Sequence, residues 1–332
     1  MVRPVTLADV ARLARVSPKT VSNVLAGKPH VSPSTREAVE AAVAALQYRP
    51  HMGGRSLASG RTGRIAVVVP NLYQPYFAEL AERLIVAVEH IGLTTTLRLA
   101  PDANAERDAL IGVTTSDADA LLVCPHFSPR VLLDGQRPGR PIIQVGGPGD
   151  DEIDCVVMGE YRGAADITEH LLALGRRQIA IVWNGAPHEG DRYRGVVDTL
   201  RAHGIEADEL PFVVGSDWDR RESGYEAVTG LLRGGREIDA LLCANDATAI
   251  GALRALRVRG VRVPDDVAVT GFDDTDESRF TLPPLTSVSP EQDAMVAAAI
   301  EMLQARLAGD QGPARRVGTG AHVVARASTL GH

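Results

Sequence analysis

The sequence predicts a small all-α head followed by a larger α/β body built on parallel sheets. Three capped helical patterns crowd the first 50 residues, and strand-length apolar runs alternate with amphipathic segments after them. A chain of 332 residues also suits two or three domains at about 100–200 residues each. Hydrophobic residues make up 45% and charged residues 23%, which excludes a chain dominated by disorder. No apolar run nears the ~18–20 residues of a membrane span, and the opening MVRPVTLADVARLA lacks a secretory pattern. Neither a membrane partner nor export is therefore expected. Cys124, Cys155 and Cys243 lie far apart without a C-x-x-C, which fits a reducing cytoplasm better than a disulfide framework or zinc.

The head comes first. Thr6-Leu7-Ala8-Asp9 reads as a capping box, followed at helical spacing by Val10, Ala11 and Ala14. Ser17 caps a second helix whose first position is Pro18, where a missing N–H costs nothing. Val21, Val24 and Leu25 form its inner stripe, and Gly27 ends it. Ser32-Pro33 opens a third helix through Leu46, and Tyr48-Arg49-Pro50 closes it. Two short helices joined at Arg15-Val16 make a helix-turn-helix pattern, whose second helix enters a DNA major groove by its N-terminal end. Lys19 and Asn23 share a face at i, i+4. Asn can read adenine and Lys can donate to guanine, while Thr20 and Ser22 suit phosphates.

Charge supports this. Net charge is −7, yet residues 1–64 hold ten Lys/Arg against three acids, leaving +7 on the head and −14 on the rest. A basic head on an acidic body points to a polyanion partner; a solvated charged face or a three-helix interaction module is the alternative.

In the body, strands are expected at Ile65–Val69, Ala120–Cys124, Ile142–Val145, Cys155–Met158, Ile179–Trp183, Phe212–Val214, Leu241–Ala244 and Val267–Thr270. Helices are expected at Glu79–His90, Gly163–Leu174, Arg192–His203, Ala247–Val258 and Glu291–Leu307. This alternation implies parallel sheets covered on both faces, with ligands beyond the carboxyl ends of the strands. Those ends carry Asn71 to Phe77, His126, Gly146-Gly147, Asn184, Trp218, Asn245-Asp246 and Phe272-Asp273-Asp274. Aromatic faces with amides and carboxylates suit a small polyhydroxylated ligand.

The segment VTLADVARLARVSPKTVSNVLAGKPHVSPSTREAVEAAVAALQYRP, with T-V-S, V-S-x-x-T-R and Y-R-P in order, resembles the DNA-binding head of the lactose-repressor/galactose-repressor (LacI/GalR) family. Residues 51–62 resemble the family hinge, in which Leu57 would wedge into the minor groove. His51 stands where an asparagine is usual, and Gly54 where an alanine is. In the body, Pro70–Leu80, His170–Ala180, Arg192-Tyr193-Arg194-Gly195, Ala244-Asn245-Asp246, Gly271–Asp274 and Pro283–Thr286 match the effector domain in order. The family's Asp-Arg after the fourth strand is here Gly146-Gly147.

The resemblance implies a head at 1–50, a hinge at 51–62, and a body at 63–332 of two periplasmic-binding-protein-like subdomains. These would span roughly 63–157 with 290–318, and 158–289 with 319–332. It implies a cytoplasmic, nucleoid-associated, dimeric regulator, expected to repress carbohydrate-use genes, on a near-palindromic operator. DNA contacts would come from Thr6, Ser17, Pro18, Lys19, Thr20, Ser22, Asn23, His30, Tyr48, Gly54, Arg55 and Leu57. A small effector, expected to be a sugar, would meet Tyr76, Phe77, His126, Arg192, Trp218, Asn245, Asp246 and Asp273. Trp218 as plain core and Asp273-Asp274 as a turn cap are the alternatives. No leucine heptad follows Leu330, so a dimer is expected. Neither cofactor nor metal is expected, since no G-x-G-x-x-G, G-x-S-x-G, H-E-x-x-H or Walker loop occurs. A periplasmic binding protein would leave the head unexplained; a sugar-processing enzyme with a regulatory head is the competing class.

Overall fold

The computed structural model describes residues 5–25, 30–46, 48, 61–112, 114–136, 138–147, 149–184, 190–207, 210–215, 217 and 220–331. It separates into two compact units, Met1–Gly63 and Arg64–His332.

In the first unit, α1 (Leu7–Leu13), α2 (Pro18–Leu25) and α3 (Pro33–Ala45) pack around Val10, Ala11, Val21, Val24, Val39, Ala42 and Tyr48. Local chemistry sets each start. The Asp9 carboxylate accepts from the Thr6 amide at 3.0 Å and its hydroxyl at 2.7 Å. The Ser17 hydroxyl accepts from the Thr20 amide at 3.1 Å, and the Ser32 hydroxyl from the Thr35 amide at 3.3 Å. The expected stop at Gly27 lies outside the described residues.

The second unit holds two parallel sheets. The first comprises β1 (Arg64–Val69), β2 (Thr94–Leu99), β3 (Ala120–Val123), β4 (Ile142–Val145), β5 (Asp154–Val157) and β11 (Arg316–Gly318), in the order β11-β5-β4-β3-β1-β2. The second comprises β6 (Ile179–Asn184), β7 (Phe212–Gly215), β8 (Ala240–Cys243) and β9 (Ala268–Thr270), in the order β7-β6-β8-β9. An antiparallel pair, β10 (Ser287–Ser289) and β12 (His322–Val324), joins the later crossings.

Helices cover both faces. They are α4 (Pro75–His90), α5 (Ala103–Leu110), α6 (Pro129–Leu133), α7 (Glu160–Ala173), α8 (Asp191–Ala202), α9 (Arg221–Arg233), α10 (Asp246–Val258), α11 (Gln292–Leu307) and α12 (Ala327–Leu330). Period-two alternation divides each sheet between two cores. Ile65, Val67 and Val69 face one core with Leu80 and Leu84, while Ala66 and Val68 face another with Leu110 and Leu133. In β6, Ala180 and Val182 take one side and Ile179, Ile181 and Trp183 the other.

The chain returns to the first sheet late. Arg306 on α11 grips buried Asp154 through two bonds of 2.7 and 2.8 Å, and the Arg315 amide adds a third at 2.8 Å. Burial pushes this carboxyl up, but those bonds outweigh it and leave its pKa lowered. No helix among the described residues is long and apolar enough to cross a membrane.

Candidate functional site

Residues from the ends of both sheets meet in one place. Tyr76 and Phe77 open α4, which starts at Pro75, and their rings meet edge to face at 5.3 Å. Phe77 continues edge-on to His126, just beyond β3, at 5.4 Å. Gly146 follows β4, with Met158 and Glu160 beyond β5. The Tyr76 hydroxyl reaches Gly146 so closely that a Cβ there would stand 3.1 Å from it, and Gly146 has a left-handed φ of +79°. From the second sheet comes Arg192, at the start of α8 and 9% exposed. Its guanidinium donates to the Ala244 carbonyl at 2.5 Å and to Glu160 at 2.9 Å, and stacks 3.7 Å from the centre of the Phe272 ring. Asp273 follows β9, is buried, and holds φ at +113°.

The electrostatics tie these groups together. Burial, then nearby Cys124, Asp273 and Glu160, push the Tyr76 phenol well above its ordinary range, against the pull of Arg192. Behind His126, burial raises the Glu106 carboxyl to about 7, while the His126 and Phe127 amides pull the other way.

Two residues expected to meet a ligand do other work. Asp246 is 1% exposed. One oxygen accepts from the Thr275 amide at 2.8 Å, the Thr275 hydroxyl at 3.1 Å and the Ser278 hydroxyl at 2.5 Å, and the other from Ser287 at 2.6 Å. A carboxylate has about four acceptor positions, so this one is filled by the protein. Burial raises its pKa to about 6, with the Ser278, Ser287 and Thr275 bonds opposing. Asn245 caps α10, its oxygen accepting from the Thr248 amide at 2.9 Å. Neighbouring Asp274 is taken too, by Arg326 at 2.5 Å.

On the head, Thr6, Ser17, Pro18, Lys19, Ser22 and His30 are exposed, and Thr20 and Asn23 half-buried. The Ser17 and Thr20 hydroxyls are engaged with each other at 2.8 Å. Tyr48, expected at the DNA surface, is 8% exposed and belongs to the head core. Gly54, Arg55, Leu57 and Trp218 lie outside the described residues.

Residues 6–51 match the bacterial regulatory proteins of the lacI family, and residues 168–329 match a periplasmic binding protein-like domain. The chain is 31% identical over 341 aligned positions to the HTH-type transcriptional regulator CelR of Thermobifida fusca, covering 97% of this chain and 98% of that protein. The chain belongs to the lacI family. Two solved structures extend the likeness. The Lac repressor dimer bound to operator and the anti-inducer ONPF superposes with a TM-score of 0.86 at 27% identity, covering 99% of this chain and all of that one. The CelR–cellobiose complex does so with a TM-score of 0.71 at 31% identity, covering 98% and 100%.

This LacI-family protein is a DNA-binding transcriptional regulator and, like its relatives, not an enzyme. Its cleft gathers Tyr76, Phe77, His126, Arg192 and Asp273 from the residues singled out in its sequence. Phe272, already noted at a strand end, joins them, and so does Glu160, which was not singled out; Gln292, also not singled out, lies by Asp273. Glu160 follows β5, so the strand-end rule could have found it too. Gln292 sits on a helix start with no such signal.

Proposed function

We propose that this regulator represses carbohydrate-use genes, binding a near-palindromic operator as a homodimer and responding to a sugar in the body cleft. The observation that carries the effector reading is Arg192. A buried guanidinium held by Glu160 and the Ala244 carbonyl, and stacked on Phe272, places N–H donors beside an aromatic wall where polyhydroxylated ligands bind. A relative of 31% identity has been solved with cellobiose, which favours a sugar.

In this reading residues 1–50 form the DNA-binding domain, 51–62 the hinge, and 63–332 the effector and dimerisation domain. Lys19 and Asn23 read bases, and Asn23→Ala should relax one position of each half-site by roughly 1–3 kcal/mol, as seen in a binding-site selection. The dimer is supported by exposed Phe280 and Leu282, the latter beside a groove lined by Leu253, Val261 and Val263.

A thermal-shift screen of sugars, followed by calorimetry on Arg192→Ala, tests the cleft. A sugar at 100 times its Kd raises stability by about 2.7 kcal/mol. The Arg192 variant should lose that gain. If it binds the sugar as tightly as the wild type, the effector site is elsewhere.

A further inference from the structure

We propose that Tyr73, laid against Arg220 and Arg221, is a latch across the rim of the cleft that sets how often the two halves of the body part. The latch needs no ligand, so it stands apart from the identity of the effector.

Tyr73 belongs to the half built on the first sheet. It lies in the turn between β1 and α4, three residues before buried Tyr76, yet is itself 50% exposed. The turn fixes it, because the Asn71 side-chain oxygen accepts from the Tyr73 and Gln74 amides at 3.0 Å each.

Opposite it stands the start of α9, in the half built on the second sheet. The Arg220 and Arg221 guanidinium carbons lie 4.7 and 5.4 Å from the centre of the Tyr73 ring, both within cation–π reach. Both arginines are held in turn. Arg220 pairs with Asp217 at 3.5 Å, and Arg221 with Glu277. The bond to Glu277 raises the Arg221 pKa against burial, and Tyr73 adds to the rise, so the guanidinium stays charged. The start of α9 has no room to shift, since it is pressed onto α10. A Cβ at Gly224 would stand 2.1 Å from the Thr248 carbonyl.

A second contact closes the circuit. Glu277 sits in a short 3-10 turn, Asp276–Arg279, that follows β9. The amide of its neighbour Asp276 donates to the Glu79 carboxylate on α4 at 3.0 Å. One turn of the second half therefore holds Arg221 with one residue and reaches the first half with the next.

An exposed cation–π contact shifts a two-state ratio about two- to fivefold, so the pair is worth about five- to thirtyfold. That biases an opening equilibrium without locking it. The latch thus acts on how readily a ligand enters and leaves the cleft, and leaves the choice of ligand to the residues behind it.

The test is a pulsed electron-electron double resonance measurement on the full chain without sugar. Nitroxides are attached through Val131→Cys in the first half and Val214→Cys in the second, both exposed, whereas Cys124, Cys155 and Cys243 are buried. Excess unlabelled chain is added so that distances within one copy dominate. Tyr73→Ala should move population to the longer distance and lower the closed-to-open ratio about five- to thirtyfold. Adding Glu79→Ala should lower it further. Arg220→Gln, which leaves the turn untouched, should open the cleft in the same direction, and Tyr73→Phe, which keeps the ring, should stay mostly closed. Leu72→Ala on the same turn is the control and should match the wild type. A distribution unchanged by both Tyr73→Ala and Arg220→Gln overturns the inference. Equal opening by Leu72→Ala overturns it too, because the turn and not the ring would then be responsible. None of these outcomes bears on the sugar reading, which the Arg192 variant tests.

Discussion

Asp246 and Tyr76 are both buried where the two sheets end, and their polar atoms meet opposite fates. Asp246 accepts four hydrogen bonds from Thr275, Ser278 and Ser287. The Tyr76 hydroxyl finds no partner among the described residues. A carboxylate saturated by its own protein is architecture, whatever its place in a motif. An unpaired buried donor carries a cost that a ligand can relieve. Asp246 therefore belongs to the frame of the cleft, while the Tyr76 hydroxyl keeps hydrogen-bonding capacity that its own protein leaves unused.

The largest way to break this contrast is to remove the frame. Asp246→Ala leaves an amide and three hydroxyls aimed at nothing, and should destabilise the body by roughly 3–5 kcal/mol. Urea denaturation checks it, and a loss near zero would mean that Asp246 is free to serve a ligand.

The frame can also be struck from behind. At Gly251 on α10, a Cβ would stand 1.9 Å from the Arg221 carbonyl of α9, a backbone atom that cannot step aside. Gly251→Ala should cost about 1–3 kcal/mol in the same assay. Asn245→Ala removes the α10 cap and should cost about 1 kcal/mol, with sugar affinity changing less than in Tyr76→Phe.

The smallest effect is a pH dependence behind His126. Burial lifts Glu106 from 4.5 to about 7. Because its folded pKa lies above the unfolded one, its stability contribution is full below about 4.5 and lost as pH rises through about 7. Glu106→Gln keeps an oxygen for the His126 amide, 3.1 Å away in the wild type, and removes that loss. The variant should gain on the wild type between about pH 5 and about pH 8 in urea midpoints. A constant gap would contradict the raised pKa.

What the sequence revealed follows the range of the interactions. The caps at Thr6, Ser17 and Ser32 were legible because donor and acceptor lie three residues apart. The buried strands β1, β3, β4, β6 and β8 were legible as apolar runs. The edge strand β2, reading Thr-Thr-Thr-Leu-Arg-Leu, was not, because it is half exposed and carries no such run. β10, β11 and β12, reading Ser-Val-Ser, Arg-Val-Gly and His-Val-Val, escaped because none carries an apolar run.

At the site, the strand-end rule brought out Tyr76 and Asp273 and the family resemblance brought out Arg192, yet neither could tell Asp246 from a ligand contact. The donors that fill Asp246 come from 29 to 41 residues away. Gln292 was illegible for the same reason. Nothing local distinguishes a helix-start glutamine from a solvated one, and its burial arises only when α11 packs on the core of the first sheet.

The most direct test of the contrast pairs two conservative variants, Tyr76→Phe and Asp246→Asn. Each is measured for stability without ligand and for affinity toward a neutral sugar that binds the wild type. The account predicts that Tyr76→Phe lowers affinity about five- to tenfold without lowering the melting temperature, and that Asp246→Asn lowers the melting temperature while the folded protein keeps its affinity. The reverse pattern, with affinity lost at Asp246 and stability lost at Tyr76, would contradict it.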